Sequence, residues 1–159
     1  MNKKEVIKYL ILVVLCMIVI FSFSNQTGKA SQNLSDKISI EIIEIKSKIT
    51  NRTYTKKEAE NLVKEMRFFV RKTAHFFLYF ILGILLCLLF EELKFNKKIR
   101  CILLVCLLCA LSDEIHQMFV SERTAKVLDV FIDLSGSIFA IFIKSVYNTR
   151  LVKKKNYEK

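Results

Sequence analysis

Nine residues of this chain are of types that bind ions, hold directed hydrogen bonds and move protons: Lys72, His75, Asp113, Glu114, His116, Gln117, Arg123, Asp129 and Asp133. Each lies at one end of a long apolar run, as do Ser24 and Gln26. Ionisable groups inside an apolar span are costly and mark a functional site by default. A histidine beside an acid suits general acid–base chemistry, which singles out His75, Asp113, Glu114 and His116. Lys72 and Arg123 suit contact with an anionic group. Gln117, Asp129, Asp133, Ser24 and Gln26 complete a polar, substrate-binding pocket. His75, Glu114, His116 and Asp129 are also of metal-ligand type. However, Glu114-Ile115-His116 lacks one-turn spacing and matches no zinc signature. No metal and no other cofactor is therefore expected. No serine nucleophile elbow is present, and Ser112 and Ser135 read as small packing residues.

The elements that must position these side chains are helical spans. Apolar runs cover residues 6–23, 73–90, 101–120 and 127–147, each long enough to cross a bilayer. The absence of proline and the three glycines leave little to interrupt helices. A cleavable signal peptide ending near Gly28-Lys29-Ala30 is the competing reading of the first run, although the run exceeds a usual signal core. Between the first two spans lies a polar segment, 26–72. Leu34, Ile38, Ile42, Ile45 and Ile49 recur there at helical spacing, predicting an amphipathic helix on a membrane surface or over the bundle. Asn51 to Tyr54 predicts a break, and Thr55 with Glu58 matches a capping box. From Thr55 the pattern runs unbroken into the second span. The expected fold is thus all-α: a single polytopic membrane domain over residues 1–159, with four transmembrane helices and an extracytoplasmic helical segment.

Charge orients this arrangement. The N-terminus, the Glu91–Arg100 turn and the C-terminal tail are basic and fall on one side, which is then cytoplasmic. The net charge of +11 reads as membrane orientation and attraction to anionic lipid rather than as nucleic-acid binding. Cys16, Cys87, Cys101, Cys106 and Cys109 all lie in apolar runs and read as small hydrophobes. The Cys106/Cys109 pair sits far from a helix N-terminus, where a redox thiol would be activated.

Depth follows from helical rise. Asp113 is about 22 Å above Lys98 and His75 about 24 Å above Glu91, at about 1.5 Å per residue. Both fall in the outer half of an apolar core about 30 Å thick, as does Asp133. Faces agree as well. Lys72, His75 and Tyr79 share one, Asp113 shares one with His116 and Gln117, and Asp129 with Asp133. Gly136 and Ala140 continue that last line and allow close helix approach. Two readings follow: an ionic lock between helices, or a polar pocket open to the outer leaflet. The number of costly groups favours the pocket.

These same residues resemble the VanZ-like membrane family. The resemblance is carried by Phe23-Ser24-Asn25-Gln26, Lys72-Thr73-Ala74-His75-Phe76 and Asp113-Glu114-Ile115-His116-Gln117-Met118-Phe119, then Arg123, Asp129, Asp133 and Gly136. The family often carries Pro-Gly where this chain has Ser121-Glu122, and Asn where it has Asp133. The resemblance implies a multi-pass protein of the cytoplasmic membrane. The founding member is linked to teicoplanin resistance, and such drugs carry an acyl chain and act at the outer leaflet. The expected partner is therefore a membrane lipid, a lipid-linked envelope precursor or an amphiphilic glycopeptide antibiotic. An enzyme acting on a lipid or wall precursor, an accessory protein and a small proton-coupled transporter are the alternatives.

Overall fold

The computed structural model describes residues 2–95, 98–123 and 125–157. Among these residues the chain is all-α, with five helices: α1 (Lys3–Ser24), α2 (Gly28–Thr50), α3 (Lys56–Glu92), α4 (Lys98–Gln117) and α5 (Val127–Tyr157). Helices cover the first, second and fourth expected apolar runs, α4 covers the third only as far as Gln117 because residues 118–120 turn, and α2 occupies the polar segment. Two of them, α1 and α3, are long and apolar enough to cross a membrane. In α4 the charges of Arg100, Asp113 and Glu114 interrupt the run.

Local chemistry sets the helix ends. Asn2 and Thr27 cap the N-termini of α1 and α2 through their side-chain oxygens. Helix α2 stops at Asn51, whose φ of 49° is left-handed. Asparagine tolerates that conformation better than most residues. The predicted capping box then starts α3. The Thr55 backbone N–H and hydroxyl both donate to Glu58 Oε2, at 2.8 and 2.9 Å. Those bonds hold the Glu58 carboxyl below its usual range. From there α3 runs unbroken for 37 residues. At the helical rise that is a length of about 55 Å.

Helix α3 is the hub. It packs most extensively against α5 and also against α1, α2 and α4. Small residues make the α3–α5 contact possible. A Cβ on Gly136 would overlap the Phe76 carbonyl, and one on Gly83 would stand 2.8 Å from the Ala140 Cβ. Tyr79, Leu82, Leu86, Ile102 and Cys106 fill the space between helices, with Val13 and Ile20 of α1 closing it. All five cysteines are free thiols. At the end of the bundle opposite α2, Glu91 gathers Lys144 (3.0 Å), Lys98 (3.5 Å) and Asn148 (2.6 Å), joining α3, α4 and α5.

Helix α2 departs in register from its apolar stripe. Leu34, Ile38, Ile42, Ile45 and Ile49 are all exposed, and the buried line is Ser35, Ser39 and Ile43. The serines are small enough for α2 to lie close to α3, and their hydroxyls bond back to Ser31 and Ser35 carbonyls at 3.0 and 2.8 Å. A bidentate pair from Arg67 to Asp36, at 2.6 and 2.8 Å, fastens the two helices. The apolar stripe is left facing outward.

The tight α3–α5 seam yields a test. A side chain on Gly136 would meet a backbone carbonyl, which cannot move aside as a side chain would. Gly136→Leu should therefore destabilise the protein by about 2 kcal/mol or more. Thermal unfolding in detergent should show this, with the exposed Ser135→Ala unchanged.

Candidate functional site

Each helix brings its polar residues inward on a helical period. On α4 the buried line is Ile102, Cys106, Cys109, Ala110, Asp113 and Gln117. On α5 it is Asp129, Asp133, Ser137 and Ala140. On α3 the inward line is Arg71 and His75, both half-buried, then the buried Tyr79 and Leu82, at spacings of four and three. Near the α2 end of the bundle these lines converge.

At the centre stand His75, Asp113 and Asp133, from α3, α4 and α5. One nitrogen or oxygen from each lies within 4.8 Å of the others. Both aspartates are 0% exposed. His75 Nδ1 is 3.3 Å from Asp133 Oδ1. The Gln117 amide donates to Asp113 Oδ2 at 2.9 Å, and its oxygen accepts from Arg71 at 3.3 Å. Ser24 is buried at the end of α1, beside Asp113.

The remaining expected site residues fall into a surrounding set of ties. Lys72 pairs with Asp129, which is 2% exposed. Arg123 donates from Nε to the Gln26 carbonyl and from Nη2 to the Phe23 carbonyl, both at 3.0 Å. Those are carbonyls at the end of α1, where the helix dipole favours a cation. Glu114 Oε2 accepts from the Lys126 backbone N–H at 2.8 Å, fixing the link between α4 and α5. In that link Glu122 adopts a positive φ of 59°. Its carboxylate accepts from the Lys29 N–H at 3.1 Å, at the N-terminus of α2. Gly28 fits against the Glu122 backbone where any Cβ would clash.

His116 stands apart from the expected cluster. Its Nε2 is 3.3 Å from Asn25 Oδ1, and its ring meets Phe21 of α1 edge-on. Three residues of helix leave it about 60° round from Asp113, enough to turn it from the core toward α1. The expected ligand-type set of His75, Glu114, His116 and Asp129 likewise divides among separate environments. The residue missed was Arg71. Its signal was the four-residue spacing to His75, hidden beside the more conspicuous Lys72.

Above the centre an apolar cleft of about 310 Å³ lies between the end of α1, α2 and α3. Phe23, Leu34, Ile38, Val70, Leu78 and Ile81 line it, with Arg71, His75 and Arg123 at its polar side. A polar basin of about 500 Å³ adjoins, sharing Ser31, Ser35 and Arg71 and adding Lys29, Arg67 and Glu122. The Arg71 Nε is buried there and lacks a hydrogen-bond partner.

A protein-family model described as VanZ/LLP1 matches residues 9–148. The chain belongs to that family. No curated protein and no solved structure matches it significantly. With the two apolar helices, membership marks a membrane-associated protein.

The Lys72–Asp129 pair carries a prediction. Lys72→Met strands a buried carboxylate and should cost about 3–5 kcal/mol, whereas adding Asp129→Asn should recover most of the loss. A double-mutant thermal-melt cycle in detergent checks this, with additive losses as the contrary result.

Proposed function

We propose that this protein crosses the cytoplasmic membrane four times, with both ends cytoplasmic, and binds an anionic amphiphile in its outer leaflet. The four spans are α1, the apolar part of α3, α4 and α5. Large apolar side chains cover their outer faces: Leu104, Leu108, Leu111 and Ile115 on α4, and Phe131, Ile138 and Phe142 on α5 are all exposed. Their carboxylates face inward. That inversion of the usual soluble pattern suits hydrocarbon surroundings.

The observation that carries the binding role is the continuous path from apolar cleft to basic basin. An acyl or prenyl chain fits among Leu34, Ile38, Val70, Leu78 and Ile81. A phosphate or carboxylate then falls beside Arg71, whose buried Nε is free to donate. Arg123 and Lys29 add positive potential on the same side. The exposed apolar stripe of α2 suits the bilayer surface through which such a ligand would enter. A lipid-linked envelope precursor has this chemistry, and so has an acylated glycopeptide such as teicoplanin. In this reading the protein shields or presents the headgroup.

Binding of an anionic prenyl phosphate, measured by native mass spectrometry in detergent, should exceed that of phosphatidylcholine. Arg71→Ala removes one charge-assisted bond of about 1.5–3 kcal/mol and should weaken binding roughly 10- to 100-fold. Equal binding of the two lipids, or an unchanged Arg71→Ala variant, would contradict the reading. A deletion strain more susceptible to teicoplanin would extend it to that drug. Unchanged susceptibility would restrict it to the endogenous lipid.

A further inference from the structure

Beneath the cleft, the triad of His75, Asp113 and Asp133 has unfilled chemistry. The Oδ2 of Asp133 and the Oδ1 of Asp113 lack a hydrogen-bond partner, and the Oδ1 of Asp133 has only the His75 contact at 3.3 Å. Two further buried hydroxyls lack a partner as well, that of Tyr79, one helical turn from His75, and that of Ser24, near Asp113. Four such oxygens in one core are unusual, since native proteins satisfy nearly all buried polar atoms. Charge is unbalanced too. Among the described residues, only His75 lies within ion-pair distance of either aspartate, and Lys72 is engaged by Asp129.

Two remedies are available to such a cluster. Protonation of one carboxylate and of His75 balances the charge, with the Tyr79 and Ser24 hydroxyls turning their protons toward the remaining oxygens. A divalent cation is the second remedy, because it supplies two positive charges and accepts lone pairs from several oxygens at once. Ligand atoms around one ion at about 2.0–2.2 Å stand at most about 4.4 Å apart. Small side-chain shifts therefore close the present set, whose atoms lie within 4.8 Å of one another. One imidazole and two carboxylates, with no thiolate, form a set of intermediate hardness that suits zinc or manganese.

We propose that His75, Asp113 and Asp133 form a mononuclear divalent-cation site of the zinc–manganese class, bounded by the Tyr79 and Ser24 hydroxyls. Three protein ligands leave coordination positions open. Because His75 also lines the cleft, the ion sits at the cleft's floor. The site stands on core geometry alone and holds whatever ligand the cleft takes.

The test uses the full-length chain, purified in detergent and stripped with EDTA. Mn²⁺ binding is followed by loss of the free-ion EPR signal, Zn²⁺ binding by competition, and stability by thermal unfolding with and without each metal. The wild type should bind about one ion per chain and unfold at a higher temperature with the metal than without. Asp113→Asn and Asp133→Asn should lower affinity at least about 100-fold, and His75→Ala at least about tenfold. Their unfolding should be indifferent to EDTA. Each Asn variant should be at least as stable as the stripped wild type, because it removes an unbalanced buried charge. That expectation separates metal binding from a merely structural role, and either Asn variant alone suffices if the other misfolds. Glu58→Gln, far from the site, should bind as wild type. Absence of both Mn²⁺ and Zn²⁺ binding overturns the site, as does wild-type affinity in the Asn variants. Stability that responds to pH but not to metal would also overturn it, leaving a proton-sharing cluster.

Discussion

Asp113 and Asp133 lie with no exposure between three helices whose outer surfaces are hydrocarbon. A carboxylate so placed costs several kcal/mol unless opposite charge and donors surround it. Much of the bundle can be understood as an answer to that cost. His75 is brought to Asp133 by α3, Gln117 to Asp113 by α4 itself, and Arg71 supports Gln117 in turn. The adjoining charges are separately matched, Lys72 to Asp129 and Arg123 to the end of α1. These ties hold four helices in one register. They also leave a polar nest with oxygens still unpartnered.

The close packing of α3 on α5 serves the same end. Without Gly83, Gly136 and Ala140 the two helices would stand further apart, and His75 could not approach Asp133. Helix α1 contributes less apolar packing than its length suggests, since only Val13, Ile20 and Ser24 are buried. Its carbonyl terminus instead anchors Arg123. Helix α2 is held by one ion pair, two serines and Ile43 rather than by its apolar stripe, which stays exposed. The basic basin and apolar cleft lie side by side at the α2 end of the bundle.

Short-range chemistry was legible in the sequence. The capping box at Thr55 and Glu58, the break after Thr50 and the Gly136–Ala140 line depend only on neighbours three or four residues away. The convergence of His75, Asp113 and Asp133 was also legible, because rise per residue fixes depth and period fixes face. The surroundings of the site were less readable. His116 turns toward α1 because of where that helix lies, and nothing in the local pattern specifies this. The tie from Arg123 to the end of α1, about a hundred residues away, depends on packing that no local pattern specifies. The stripe on α2 was visible, but apolarity alone cannot distinguish a face that meets protein from one that meets lipid. Glu122 illustrates the same point. The backbone there has a positive φ, a conformation that favours glycine. Glutamate accepts the strain and in exchange caps α2.

Ionisable side chains of three helices face one another inside the bundle while its apolar side chains face outward, and the rest of the account depends on that arrangement. Paired-cysteine cross-linking in native membranes tests it directly, in a background with the five natural cysteines replaced. His75→Cys with Asp133→Cys should join rapidly under a short thiol-bridging reagent, and Phe77→Cys with Asp133→Cys should not, because Phe77 lies on the exposed side of α3. Equal rates for the two pairs, or joining only through Phe77, would show that the charged faces do not meet.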